Sequence, residues 1–266
     1  GDRVAVNCVQ SCGLCINCQR GRDSICLNRN LLGIHLDGAL APFMVAKARS
    51  LIPLPSHITF EVGAIATDAV ATPYHALKTR AKLTASESLA VFGVGGLGTH
   101  AVVLGRLMGA SPIIAVDVRR PALDRALSMG ADHAVDAGEV DPVRAVRELT
   151  KGRGVEVGLE CVGSGQAVRQ CVDSVAIGGR AAIVGLSPDP MTLGEITSWV
   201  RREVTILACS AFETKEIEEI LNLAAAGRLD LSKSVTETLS LKEVNKGLEL
   251  LDKNPGRILR LVVNSF

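Results

Sequence analysis

The 266-residue chain is long enough for one large domain or two ordinary ones, and its 47% apolar content can fill a sizeable core. With 29 Lys and Arg against 28 Asp and Glu, the net charge of +1 excludes the basic footprint of a nucleic-acid binder and any charged tail. Five Phe, one Tyr and one Trp are too few for a base-stacking surface.

The chain opens on "GDRVAV", charged and then strand-like, with no apolar leader of the signal-peptide form. Short β-like pieces follow ("DRVAVN", "FMVAKA", "LIPLP"), separated by turns and closed by Pro53 and Pro55. Among them lies "CVQSCGLCINCQRGRDSIC", residues 8 to 26, holding five of the chain's eight cysteines. Cys12, Cys15, Cys18 and Cys26 have the spacing C-x2-C-x2-C-x7-C. Two-residue gaps let successive sulfurs converge on one ion, and a loop returns the fourth. Four thiolates around Zn²⁺ make a closed structural site with no position left for substrate. Disulfides, an iron–sulfur cluster and a nucleic-acid zinc module compete with that reading. The first is disfavoured in the reducing cytosol that the rest of the chain suggests, the last by the neutral charge. Cys8 is read as a bystander, and Cys161, Cys171 and Cys209 as small core residues.

The pattern changes near residues 59–63 without a flexible linker. From Ser88 to about Ser210, short apolar runs alternate with amphipathic stretches. "SLAVFGV" (88–94), "PIIAVDV" (112–118), "HAVD" (133–136), "VEVGLEC" (155–161), "RAAIVGL" (180–186) and "VTILAC" (204–209) read as strands. Their near-continuous apolar character is that of a parallel sheet covered on both faces. Thr99 to Met108 and "RPALDRALSMG" read as helices, the second stopped by Gly130. "DPVRAVRELTKGRG" has Asp141 as N-cap, Pro142 at the first position and Gly152 past the end. Six such strands joined by right-handed crossovers predict a doubly wound α/β fold. The uncharged stretch Ser88 to Gly105 is broken by five glycines and a histidine, so it reads as strand, turn and helix start rather than a membrane span. The tail adds "ETKEIEEILNLAAAGRLD", the helix "SLKEVNKGLELLDK" and a last strand "GRILRLVVN".

"VFGVGGLG" follows a strand and precedes a helix, the context that a G-x-G-x-x-G turn requires. Gly93 permits the tight turn, Gly95 lets the backbone approach a pyrophosphate and Gly98 lets the helix pack on the strand, with Gly96 and Leu97 completing the loop. Asp117, at the end of the next strand, would accept from the adenosine ribose hydroxyls and repel a 2′-phosphate, which favours NAD over NADP. Arg119 and Arg120 blur that preference, since a guanidinium there could hold a phosphate.

"GDRVAV…SCGLCINCQRGRDSIC", "DGALAPFMVAKARSLIPLP", "ATDAVATPYHAL", "VFGVGGLGTHA" and "GRILRLVV" together resemble the zinc-dependent alcohol dehydrogenases of the medium-chain dehydrogenase/reductase superfamily, from end to end. The resemblance implies a partial GroES-like, mainly β catalytic domain (1–61), a Rossmann dinucleotide-binding domain (62–211) and a return to the catalytic domain (212–266). It places Cys12, Cys15, Cys18 and Cys26 on the structural zinc and Asp68 as a ligand of the catalytic zinc. By the same resemblance, Thr72 would meet the nicotinamide. It also implies that Cys161, Val162 and Gly163, then Val184, Gly185 and Leu186, line the cofactor and that Arg257 lies near the pyrophosphate. From the residues alone, Asp68 could instead cap the helix that follows. His75 reads as a packed histidine, and His35, His57, His100 and His133 receive no role.

The implied activity is hydride transfer between an alcohol and NAD, with zinc binding the substrate oxygen and the product an aldehyde or ketone. Polyol or threonine oxidation and a non-catalytic NAD-binding protein are the alternatives. A small-molecule substrate, a cytoplasmic location, a dimer or tetramer, and no membrane or nucleic-acid partner complete the expectation. The family's other catalytic zinc ligands, a Cys and the His of a Gly-His-Glu motif, lie upstream of its "GDRV" strand. The resemblance therefore implies an N-terminally truncated segment with little turnover of its own.

Overall fold

The chain begins with β1 (Val4–Val6), β2 (Val9–Gln10), the short helix α1 (Ile16–Gln19), β3 (Asn30–Leu31) and β4 (Leu51–Pro53). β1 pairs antiparallel with β4, and β2 with β3. These are seen in a computed structural model that describes residues 1–188, 190–254 and 256–265. "FMVAKA" does not form the expected strand: Phe43 and Val45 are 91% and 90% exposed, so the face they share has nothing to pack on. Next comes α2 (Phe60–Ile65), whose cap is Thr59, accepting from the Val62 N–H at 3.3 Å. A wider, π-wound stretch follows over Ala66–Val70, and then α3 (Ala71–Tyr74) and a second π-wound stretch, His75–Arg80. Pro73 removes one N–H from the helical ladder here, a local cause of irregular winding.

Two compact units divide the described chain: Gly1–Thr72 with the chain from Ser210 on, and Pro73–Cys209. The stretch 62–72 therefore packs with the first unit.

The second unit carries β5 (Leu89–Phe92), α4 (Gly98–Leu107), β6 (Ile113–Asp117), α5 (Arg120–Ser128), β7 (His133–Asp136), α6 (Pro142–Leu149), β8 (Val155–Glu160), α7 (Gly165–Ser174), β9 (Val175–Ile183), α8 (Ile196–Arg202) and β10 (Thr205–Ala208). Its strands form one parallel sheet in the order β10-β9-β8-β5-β6-β7. The order reverses between β5 and β8, the switch point at which doubly wound sheets bind dinucleotides. Every residue of β5 is buried, as are Ile113–Val116 of β6, because helices cover both faces. Phe92, Ile114, Val116, Val168 and Val172 share one core cluster, each worth roughly 1.5–3 kcal/mol of apolar burial. Asp141 caps α6 as expected, accepting from the Val143 and Arg144 N–H groups. β9 starts five residues before the predicted strand and ends at Ile183, leaving Val184–Leu186 in a loop.

After Ser210 the first unit continues with α9 (Thr214–Ala225), β11 (Glu237–Ser240), α10 (Val244–Lys253) and β12 (Leu261–Ser265), with β11 and β12 parallel. No described helix is long and apolar enough to cross a membrane.

Candidate functional site

In the first unit, the four cysteines that the sequence singles out come together. Cys12, Cys15, Cys18 and Cys26 place their sulfurs within 4.8 Å of one another, with Cys15–Cys18 at 3.6 Å, Cys15–Cys26 at 3.9 Å and Cys12–Cys18 at 4.0 Å. Sulfurs about 2.3 Å from a tetrahedral zinc lie about 3.8 Å apart, so the cage fits one ion. A disulfide needs about 2.05 Å, and all four are free thiols. Backbone N–H groups of Leu14 and Cys15 donate to Cys12 Sγ at 3.4 Å, and that of Cys12 to Cys26 Sγ at 3.2 Å. The first two hold the Cys12 thiol down at about 6, whereas burial pushes the Cys18 thiol up to about 12. The lobe is tied down by Glu213, which accepts from the Ser24 N–H at 2.9 Å and the Ser24 hydroxyl at 2.7 Å.

Asp68 lies inside the π-wound stretch, well past the Thr59 cap, so it does not start the helix. Its Oδ1 accepts from the Thr72 hydroxyl at 3.0 Å. Asp68 is exposed, Thr72 is buried, and the Arg260 guanidinium sits in the carboxylate's field. Among the described residues no second set of three His, Cys, Asp or Glu ligand atoms gathers. The residues present around Asp68 therefore do not make a catalytic zinc site. Arg257 is exposed, whereas Arg260, three residues on, is half-buried with an Nε that has no hydrogen-bond partner among the described residues.

The second unit holds the glycine turn. Gly93 adopts φ +83°, and Gly95 has open space where a side chain would stand. A methyl on Gly98 would meet the Gly93 carbonyl oxygen at 1.9 Å. The turn at Gly93 and the close packing at Gly98 are as expected, and Gly95 leaves the space that a close ligand approach would need. Gly96 offers its carbonyl to the buried His100 ring, 2.6 Å from Nδ1, and Leu97 precedes α4. Asp117 Oδ2 accepts from the Val94 N–H at 2.9 Å, and Oδ1 from the Arg119 N–H at 3.0 Å. Arg125 reaches the Val94 carbonyl at 3.2 Å; burial lowers its pKa while the Asp117 charge acts the other way. Sequence reasoning missed Arg125 and His100, which sit on the buried faces of α5 and α4.

A cleft of about 420 Å³ is walled by Gly93, Gly95, Asp117, Arg119, Cys161 and Val162, with Ser164 among its further lining. A larger, mostly apolar cavity of about 730 Å³ lies within the first unit, against Cys8, Leu54, Phe60 and Val262. The smaller one carries the turn and the acid, so it is the candidate dinucleotide site. Burial pushes the Cys161 thiol above its ordinary range, the Cys209 thiol up to about 11, and the Cys8 thiol up as well. Cys171 is fully buried core.

The alcohol dehydrogenase GroES-like domain family matches residues 1–56, and the zinc-binding dehydrogenase family residues 96–226. An NAD-dependent alcohol dehydrogenase of Sulfurisphaera tokodaii is 30% identical over 253 residues, covering 95% of this chain and 72% of that protein. The chain belongs to the zinc-type alcohol dehydrogenases of the medium-chain dehydrogenase/reductase superfamily. The dehydrogenase is also 28% identical over 256 residues to an L-threonine 3-dehydrogenase of Bacillus licheniformis, with 95% of this chain and 72% of that one covered. The solved alcohol dehydrogenase of Thermus sp. ATN1 superposes with a TM-score of 0.91 at 30% identity, over 99% of this chain and 79% of that one. Zinc and a nicotinamide dinucleotide are the family's cofactors. This dehydrogenase has a donor set that fits one zinc in the cysteine cage and, at the switch point of its sheet, the cleft that is the candidate dinucleotide site.

Proposed function

We propose that the protein transfers a hydride between a small alcohol and NAD. The observation that carries this reading is the cleft at the switch point, where a glycine with open space at its Cα faces the carboxylate-bearing end of the next strand. In it, the first turn of α4 receives the pyrophosphate on backbone N–H groups and the positive end of the helix. Asp117 accepts from the adenosine ribose hydroxyls and disfavours a 2′-phosphate; both its oxygens are already oriented by the Val94 and Arg119 N–H groups. Cys161–Gly163 and Val184–Leu186 line the other half of the dinucleotide. Bound NAD supplies the hydride acceptor.

Cys12, Cys15, Cys18 and Cys26 hold one zinc whose role is folding, since four thiolates leave no open position. Thr72 keeps the role that the resemblance implies, a hydroxyl for the nicotinamide; Asp68 offers one carboxylate beside it, and among the described residues no set of three ligand atoms gathers there to hold a catalytic zinc. The hydrogen bond between them supports a shared task. Arg257 is retained as a pyrophosphate candidate. The soluble-enzyme reading includes a cytoplasmic location and a dimer or tetramer.

Threonine or polyol oxidation is a second reading, favoured by a threonine dehydrogenase at 28% identity beside the alcohol dehydrogenase at 30%. The test is zinc analysis with NADH and NADPH titrations, then a substrate panel of simple alcohols, sorbitol and L-threonine. About one zinc per chain and a clear preference for NADH are expected. A chain that holds no zinc on its thiols and ignores NADH sinks the proposal; a preference for L-threonine or sorbitol moves it to the second reading.

A further inference from the structure

Glu160 is a charged residue with no exposed surface, at the C-terminal end of β8 in the middle of the sheet. Its Oε1 accepts from two successive backbone N–H groups, Val162 and Gly163, both at 2.7 Å. Its main-chain carbonyl accepts from Val184 at 2.9 Å and Gly185 at 3.2 Å. One residue thus fastens two loops, the one after β8 and the one after β9. Oε2 has no hydrogen-bond partner among the described residues, and burial pushes the carboxyl up from its ordinary value.

The two loops are nested around this group. A methyl on Gly185 would lie 2.1 Å from Gly163 N and 2.7 Å from Glu160 Oε2, and one on Gly163 would lie 2.6 Å from the Leu186 carbonyl oxygen. Glycine is required at both positions because the backbones touch. A methyl on Gly93 would in turn strike Val162 Cγ2 at 2.6 Å, so the β8 loop also abuts the phosphate turn. Cys161 and Val162 line the cleft itself, while Glu160 lies behind them and does not. A buried carboxylate costs stability unless its environment repays it. A strand end that needed only a core residue would carry an apolar one here.

We propose that Glu160 is a positioning residue for the dinucleotide: its carboxyl sets the backbone of 161–163 against that of 184–186, and so shapes the half of the site that takes the nicotinamide nucleotide. The inference rests on the NAD reading above. Topology assigns the halves. Asp117 closes β6 on one side of the switch point, and the Glu160 loops close β8 and β9 on the other. The adenosine half is therefore served by Asp117 and the glycine turn, and only the other half depends on Glu160.

The test compares NADH with ADP, which occupies only the adenosine half, on wild-type chain and on E160L and E160Q. Leucine keeps the volume and removes the acceptor, leaving two buried N–H groups unpaired; glutamine keeps an acceptor oxygen. E160L is expected to weaken NADH about tenfold or more while leaving ADP within about threefold, and E160Q to stay within about threefold for both. Hydrogen exchange on the wild-type protein without ligand should show slow amides at Val162 and Gly163, a readout that does not depend on any variant folding. Equal losses for NADH and ADP in E160L, or no loss for either, overturn the inference, as do fast amides at 162 and 163. A wild-type chain that binds ADP or NADH not at all overturns the NAD reading, and the inference with it.

Discussion

Gly98 stands so close to Gly93 that a methyl on its Cα would lie 1.9 Å from the Gly93 carbonyl oxygen, whereas a methyl on Gly95 would meet nothing within 4 Å. Two glycines of one motif therefore differ: one is packed against backbone, and the other leaves open space where the proposed dinucleotide would approach. G98A must push α4 off β5 and is expected to destabilise the second unit by about 1–3 kcal/mol, the usual cost of overpacking. G95A should melt within a degree or two of wild type and still lose NADH affinity about tenfold or more, because the methyl takes the place of the pyrophosphate. Thermal melts and NADH titrations on the two variants check this. A G95A protein that binds NADH normally would move the ligand away from the turn.

Asp117 has two duties, accepting from the turn at Val94 and presenting a negative charge at the end of β6. D117A should weaken NADH about tenfold or more and raise the NADPH-to-NADH affinity ratio, since Arg119 next to it is exposed and carries the opposite charge. Titration of both reduced cofactors against wild type and D117A measures the ratio. A ratio that does not rise would remove Asp117 from the ribose.

The sheet was legible because its central strands are near-continuous in apolar residues, β5 (LAVF) and the first four residues of β6 (IIAV) above all, a signal that parallel packing imposes. The glycine turn and the four cysteines were legible because backbone geometry and metal geometry each impose a fixed spacing. "FMVAKA" looks like a strand by composition, but a strand needs a partner and a covered face, and neither is encoded in the segment itself. Glu160 was invisible for a related reason. It ends an apolar run where a polar residue is unremarkable, and only the fold shows that the end of β8 is buried beneath two loops. Asp68 as a cap was a reasonable reading of "TDAV" in isolation; the helix in fact starts eight residues earlier, at Phe60, because Thr59 supplies the cap.

Glu87 and Arg180 are paired through two hydrogen bonds of 2.7 and 2.9 Å, and Arg180 also donates to the Ala81 and Lys82 carbonyls. The guanidinium holds the Glu87 carboxyl down at about 2, against an unfolded value near 4.5. A depressed carboxylate stabilises the fold above its unfolded pKa and loses that contribution as pH falls through its folded pKa. With partial solvent screening, the pair is worth about 1–2 kcal/mol at neutral pH. E87A should lower the neutral-pH melting temperature by a few degrees. The gap to wild type should then close between about pH 5 and pH 2 in denaturant melts. A gap that persists unchanged at the acid end would mean that packing, not charge, is what Glu87 contributes.

Glu213 and the proposed zinc both bear on the cysteine lobe. The ion would draw the four sulfurs together, and the Glu213 carboxylate, almost fully buried at the start of α9, ties Ser24 between the third and fourth of them. Removing the metal with a chelator should unfold the segment between Cys8 and Leu31 while leaving the sheet of the second unit intact, because structural zinc energy is folding energy and the second unit has its own core. E213A leaves the Ser24 N–H and hydroxyl without an acceptor and should cost about 1–3 kcal/mol. It should also release zinc to a chromogenic chelator faster than wild type, since the lobe opens more often. Limited proteolysis in the lobe and zinc release, measured together, decide the matter. Were E213A to lose stability with no change in zinc release, Glu213 would serve only as the cap of α9, where it and Glu216 already form a reciprocal pair.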